Sequence, residues 1–300
     1  MSLAVLTALL LPLLMVAAVV VLVVVLLRRP DPAPSEAAEA ARRHGTFVTV
    51  LAWTLPLTVG PLLLAPLGVV VLRVGGIDGP ATWHALLAGL YPAIIGLEYL
   101  GVHAVGERTW PRPAGPVRRA ALVRRRVADV APRWLRRLVW ALASATVAAL
   151  IAFGATAASD DRSLRVGSRG AGPYPGLDFG IPLLIAVVLV VVAAEAVLRL
   201  VAARPSIVDA DPAYDVGSRR LSAHRVLRGV ELVIGGTLAG VLLVGGIALQ
   251  NVEFRELGAT VTVLGILVGL GSVVVAALPA RPPASATELA AGPVLTRGAA

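Results

Sequence analysis

The chain has 300 residues, of which 57% are hydrophobic and only 15% charged, with mean hydropathy +0.84 and a formal net charge of +9. Soluble domains run about 45–50% apolar and about 25% charged, so this composition excludes an ordinary soluble enzyme. The positive charge argues against a nucleic-acid partner as well, because the arginines gather at the ends of apolar runs, which is the positive-inside pattern of a membrane protein.

Cysteine is absent, which excludes disulfides, thiolate metal sites and CxxC redox chemistry. Lysine is absent too, so all 27 basic residues are arginine and no Schiff-base chemistry of the retinal type is open to the chain.

Apolar runs of about 20 residues, the length that crosses a bilayer, recur along the sequence. The first is Leu3–Leu27, with no basic residue before it and Arg28 and Arg29 directly after it. It is longer than the roughly 7–15-residue core of a secretory signal, and reads as an anchor with its N-terminus outside. Pro30–Gly45 reads as a short inner loop. The second span, 47–72, contains Pro56, Pro61 and Pro66 and should be bent. A short outer loop, Arg73–Trp83, leads to the third and most polar span, 84–106.

Residues 107–137 form the most basic stretch, with Arg108, Arg112, Arg118, Arg119, Arg124, Arg125, Arg126, Arg133, Arg136 and Arg137. Within it Ala120, Val123, Val127, Val130 and Ala131 share one arc of about 100° on a helical wheel. An interfacial helix on the anionic inner leaflet and a solvated loop both fit that arc. The fourth span is 138–158. Ser159–Gly180 is the longest outer loop, mixing Asp160, Asp161 and Asp178 with Arg162, Arg165 and Arg169. The fifth span is 181–202, and Ala203–Arg228 reads as an inner loop. The sixth and seventh spans are 230–249 and 257–280, and residues 281–300 read as a disordered cytoplasmic tail.

Arginine alternates between these loops. The inner ones carry four, ten and five, and the outer ones one, three and one. The expectation is an all-α bundle of seven transmembrane helices in the cell membrane, N-terminus outside and C-terminus cytoplasmic.

An ionisable side chain inside a span costs roughly 2.5–3.5 kcal/mol near the helix centre, so the few that occur are the candidates for chemistry. Glu98, Glu195 and Glu231 fall in the inner half of the third, fifth and sixth spans, with His103, Arg199, His224 and Arg228 nearer the inner interface. Glu195 and Arg199, four apart, can pair on one helix face, as can Arg228 and Glu231, three apart. Glu98 has no such neighbour and must find its partner on another helix. His84, Tyr91 and Glu98 repeat every seven residues along one stripe of the third span, about 10.5 Å apart. Either an inner-facing polar cavity or ordinary interhelical packing with snorkelling arginines accounts for the set.

His44, His103 and His224 lie on the inner side, where two facing histidines could ligate a haem, and Asp209 and Asp211 could hold a divalent metal. HExxH, Walker-type and GxSxG motifs are missing. We expect no catalytic residue, no resident metal and no cofactor. Gly236–Gly240 and Gly265–Gly269 are GxxxG pairs, suited to close packing inside the bundle or to a homo-oligomer or membrane partner.

Three segments resemble a group of uncharacterised actinobacterial integral membrane proteins. One is Gly106-Glu107-Arg108-Thr109-Trp110-Pro111 with Arg118-Arg119-Ala120-Ala121-Leu122. Another is Gly172-Pro173-Tyr174-Pro175-Gly176 before Ile181-Pro182. The third is Asp211-Pro212-Ala213 with Arg219-Arg220-Leu221-Ser222-Ala223. The resemblance covers roughly residues 84–250 and implies a multi-pass fold, frequent encoding beside a GntR-type regulator, and no known activity. Function is thus expected to be a non-enzymatic, transporter-like or accessory membrane role for a small substrate of unknown identity. A membrane enzyme or redox protein using the inner Glu/His cluster, and a scaffold or sensor working with a neighbouring regulator, are the alternatives.

Overall fold

A computed structural model describes residues 33, 35–74, 80–111, 125–207 and 210–280, with side chains described throughout these except at 57–84. In chain order the elements are α1 (Glu36–Val74), α2 (Pro80–Arg108), the one-turn α3 (Val127–Val130), α4 (Arg133–Thr156), the strands β1 (Leu164–Val166) and β2 (Arg169–Ala171), α5 (Leu177–Ala203), α6 (Pro212–Asn251) and α7 (Arg255–Ala277). Among the described residues the protein is all-helical apart from one small hairpin, and five helices are long and apolar enough to cross a membrane, namely Ala85–Arg108, Arg133–Thr156, Leu177–Ala203, Pro212–Asn251 and Arg255–Ala277. The expected span 3–27 and the tail 281–300 lie outside the described residues.

Helix α6 is the spine. It packs against α2, α4, α5 and α7, and 72% of its most apolar stretch is buried, against 17% for α7. Its glycines let neighbours in. Gly229 abuts the Tyr99 ring, Gly235 receives Ser272 and Gly245 receives Phe153, each where a Cβ would collide. The outer helices invert the pattern of a soluble protein. Ile185, Leu189 and Val192 of α5 and Val263, Leu267 and Val274 of α7 are exposed. Such extended apolar faces suit contact with lipid.

Two loops of the sequence reading are helical instead. The 40-residue α6 begins at Pro212, not near Val230. At 1.5 Å per residue it is about 60 Å long, twice the roughly 30 Å hydrocarbon core. The reason lies in its first residues. Asp211 accepts from the Ala213 N–H at 2.6 Å as N-cap and Pro212 takes the first helical position. Likewise α1 starts at Glu36, where the Ser35 hydroxyl accepts from the Ala38 N–H, and continues as one helix through Pro56, Pro61 and Pro66. Glu39 clamps its first turns, and hydrogen bonds from Arg42 and then Arg43 hold its pKa at about 2. Of the arc, Ala120 and Val123 lie outside the described residues; residues 127–130 form α3, with Val130 and Ala131 buried in the main core rather than facing lipid.

At the opposite end, β1 and β2 pair antiparallel (Leu164 with Ala171, Val166 with Arg169) around Gly167, whose φ of 57° suits glycine. The hairpin is tied to the bundle by Arg162–Asp178 and by the Tyr174 and Thr156 hydroxyls, 2.6 Å apart. The Ser163 hydroxyl, foremost, holds Asp160 below the usual carboxylate range.

The two GxxxG pairs part company. Gly265 and Gly269 of α7 face Ala239, Leu242 and Leu243 of α6, whereas a Cβ at Gly236 or Gly240 would meet nothing within 4 Å. Backbone also crowds Gly258, where a methyl would sit 2.6 Å from the backbone nitrogen of Gln250 and the carbonyl oxygen of Gly246. Gly258→Ala should therefore cost about 1–3 kcal/mol by overpacking, while Gly236→Ala and Gly240→Ala should gain up to about 1 kcal/mol of helix propensity. Thermal unfolding in detergent checks the contrast; equal effects at the three positions would contradict the packing.

Candidate functional site

The helix ends that carry arginine meet in one buried ionic layer. Helix α5 stops at Ala203, which leaves its last carbonyls without helical partners. Arg219 of α6, with a fully buried side chain, supplies them. It donates to the carbonyls of Val201 at 3.0 Å, Ala202 at 3.2 Å and Pro205 at 3.2 Å. Its Nε pairs with Asp215, one turn earlier, at 3.0 Å. Asp215 also faces Arg125 at 3.2 Å and accepts from the Ile207 N–H.

Arg204, the first residue past α5, is buried as well. It donates to Glu107 at 3.3 Å, Ser222 at 3.0 Å and Ser218 at 2.9 Å. Its guanidinium lies 3.7 Å from the centroid of the Trp110 ring, a cation–π stack. Burial lowers the Arg204 pKa from its ordinary value, and the Glu107 carboxylate opposes the fall.

Beside this layer is a small chamber. Helix α1 contributes His44, Gly45, Val48 and Thr49, the end of α2 contributes His103, Gly106, Glu107 and then Trp110, and α6 contributes Ser222 and Arg225. The volume open to the centre of a water molecule is ≈ 10 Å³, room for about one water. Its walls are fixed by hydrogen bonds. His44 Nε2 is 2.9 Å from the Gly106 carbonyl, Arg225 donates to the Gly45 carbonyl at 3.0 Å, and the Tyr99 hydroxyl donates to the Arg225 carbonyl at 2.6 Å. His103 stacks edge-on against Tyr99, and His44 against Trp110. The nitrogens His103 Nε2 and Trp110 Nε1 are enclosed without a hydrogen-bond partner among the described residues.

The residues singled out from sequence divide into separate places. Of that set, His44 and His103 line the chamber. Glu195 does not pair with Arg199. Its carboxylate accepts from Arg136 at 2.8 and 3.1 Å and from Trp140 Nε1 at 3.4 Å, because α4 presents those donors while Arg199 points outward and is exposed. Arg228 and Glu231 each contact α7 or its end. Arg228 donates to the Leu278 carbonyl past the end of α7, and Glu231 faces Ser272 of α7 across Gly235. His224 is buried on α6, with Nδ1 enclosed and without a hydrogen-bond partner among the described residues. Glu98 is half-buried with Oε2 enclosed, and Tyr91, two turns earlier, is half-buried. The side chains of His84 and of Asp209 lie outside the described residues. Asp211 caps α6.

The chamber brings His44 and His103 to one void, but a space for about one water does not admit a porphyrin between them. Among the described residues no three His, Asp or Glu side chains gather where they could hold a metal ion. Sequence reasoning placed Arg204, Asp215, Arg219 and Arg225 in a loop and so passed over them. Two signals pointed to them, the Asp211-Pro212 helix start and the i, i+4 spacing of Asp215 and Arg219. The chain matches no protein-family model, no curated protein and no solved structure.

Removing one partner of a buried ion pair strands the other and costs about 3–5 kcal/mol. Arg219→Met and Asp215→Asn should each lower the unfolding temperature in detergent markedly. The double variant should lose clearly less than the sum, by the logic of a mutant cycle. Strict additivity would mean that the two side chains do not act as a pair.

Proposed function

We propose that this chain is a seven-span protein of the cytoplasmic membrane, N-terminus outside and C-terminus inside. In this reading it is a non-enzymatic, transporter-like or accessory component whose working site is the chamber between α1, α2 and α6. The observation that carries the reading is the chamber itself, a void at the arginine-rich end of apolar helices, walled by His44, His103, Glu107 and Arg225. Polar groups buried at such a place are expensive, and ionisable residues in membrane helices mark substrate or ion pathways by default. The arginine count of the loops supports the orientation, since cytoplasmic loops of membrane proteins are enriched in Lys and Arg. The resemblance to actinobacterial membrane proteins agrees with it. Glu98, outside the chamber lining, is a secondary position on the same helix as His103. Contact with an anionic inner leaflet and with a membrane partner belongs to the same reading.

The absence of cysteine makes the test clean. Single cysteines replacing the exposed Arg43 and Arg220 should react with a membrane-impermeant maleimide only from the cytoplasmic side, and one replacing the exposed Arg169 only from outside. The reverse pattern, or labelling of all three from one side, would overturn the orientation and with it the cytoplasmic position of the chamber.

A further inference from the structure

The groups left unpartnered at the chamber share one chemistry. Trp110 Nε1 can only donate, and so can Arg204 Nε, which lies directly behind the wall on the Trp110 ring and is also enclosed without a partner among the described residues. His103 Nε2 adds a third donor in the tautomer that carries its proton there. Trp110 and His103 are 5% and 3% exposed. The site therefore lacks an acceptor.

Charge points the same way. Two guanidiniums, Arg204 and Arg225, stand against one carboxylate, Glu107, whose two oxygens already accept from Arg204. Arg225 is held by the neutral Gly45 carbonyl rather than by an acid. Buried positive charge in excess calls for a counter-charge. A lone water would fill the void and accept from the donors, but it would leave the charge uncompensated. Size then narrows the anion. A space with room for about one water takes a monatomic ion more readily than phosphate, sulfate or a carboxylate.

We propose that the chamber is a halide site, occupied by chloride and closed by Trp110, His103 and Arg225. This deepens the reading of the chamber as the working site and names its ligand.

The test is thermal unfolding of the purified full-length chain in detergent, at constant ionic strength, with sodium gluconate replaced stepwise by chloride, bromide or sulfate. Chloride and bromide should raise the unfolding temperature saturably, as mass action on a native-state site requires, and sulfate should not. Trp110→Phe keeps a ring beneath Arg204 and removes the N–H. It should weaken the apparent chloride affinity about tenfold, as loss of one charge-assisted hydrogen bond does. Should that variant fail to fold, broadening of the chloride NMR line by the wild-type protein, reversed by bromide, reports the same site. No halide-specific stabilisation and no line broadening would overturn the proposal, as would sulfate acting like chloride or Trp110→Phe binding unchanged. Neither readout depends on membrane orientation, so halide binding combined with reversed cysteine labelling would overturn the orientation alone.

Discussion

The end of α5 sets the constraint on which the rest depends. A helix that stops inside the protein leaves carbonyls that must be satisfied. Here one fully buried arginine, Arg219, satisfies two of them, at Val201 and Ala202, together with the Pro205 carbonyl just past the helix, and is itself held by Asp215. A buried guanidinium is tolerable only with such a complete set of acceptors. That requirement fixes where α6 begins, how far it extends past the apolar span, and how α5 and α6 are registered. Arg204, Ser218, Ser222 and Glu107 extend the same network to the end of α2. The apolar part of the bundle is held differently, by glycine notches and by burial, and it tolerates exposed valine and leucine on its outer face.

The ionic layer explains why the chamber sits where it does. With Arg204 engaged on one side and the first turns of α1 laid against α2 on the other, the side chains that remain are His44, His103, Trp110 and Arg225. Two of these are pinned to backbone carbonyls. The others leave N–H groups or a ring nitrogen facing a space the size of a water molecule. The halide assignment follows from that arithmetic of donors, acceptors and charge.

Much of the architecture was legible in the sequence, because apolar runs of bilayer length are a strong signal. The third to seventh expected spans each coincide with a helix long and apolar enough to cross a membrane. What was not legible were the polar extensions of those helices. Hydropathy falls at Ala203 and returns near Val230, so the stretch between reads as a loop. Its structure is decided by a cap at Asp211 and by tertiary burial of Asp215 and Arg219, which hydropathy does not see. The same holds for residues 36–46 of α1. Pairing within a helix was a partial guide: Asp215 and Arg219 do pair at i, i+4, but not every such spacing is used. Glu195 has a cation four residues on, yet its partner is Arg136 of another helix, because spacing permits a pair without choosing between it and a better-placed donor. Of the chamber lining, His44 and His103 were singled out from the sequence, while Glu107, Trp110, Ser222 and Arg225 came from segments read as loops.

The central claim is that the charged ends of α1, α2 and α6 close on one another to form this layer and its chamber. An ideal Cβ at Gly106 lies 3.2 Å from the Val48 Cβ, near the roughly 3.5–4.5 Å separation of a disulfide. In a chain with no native cysteine, the pair Val48→Cys and Gly106→Cys is the most direct probe. Mild oxidation of isolated membranes should join it in high yield. Val48→Cys with Gly101→Cys, where a Cβ meets nothing within 4 Å, should stay reduced. Free thiols at 48 and 106 under oxidant, in protein that is otherwise folded, would contradict the account.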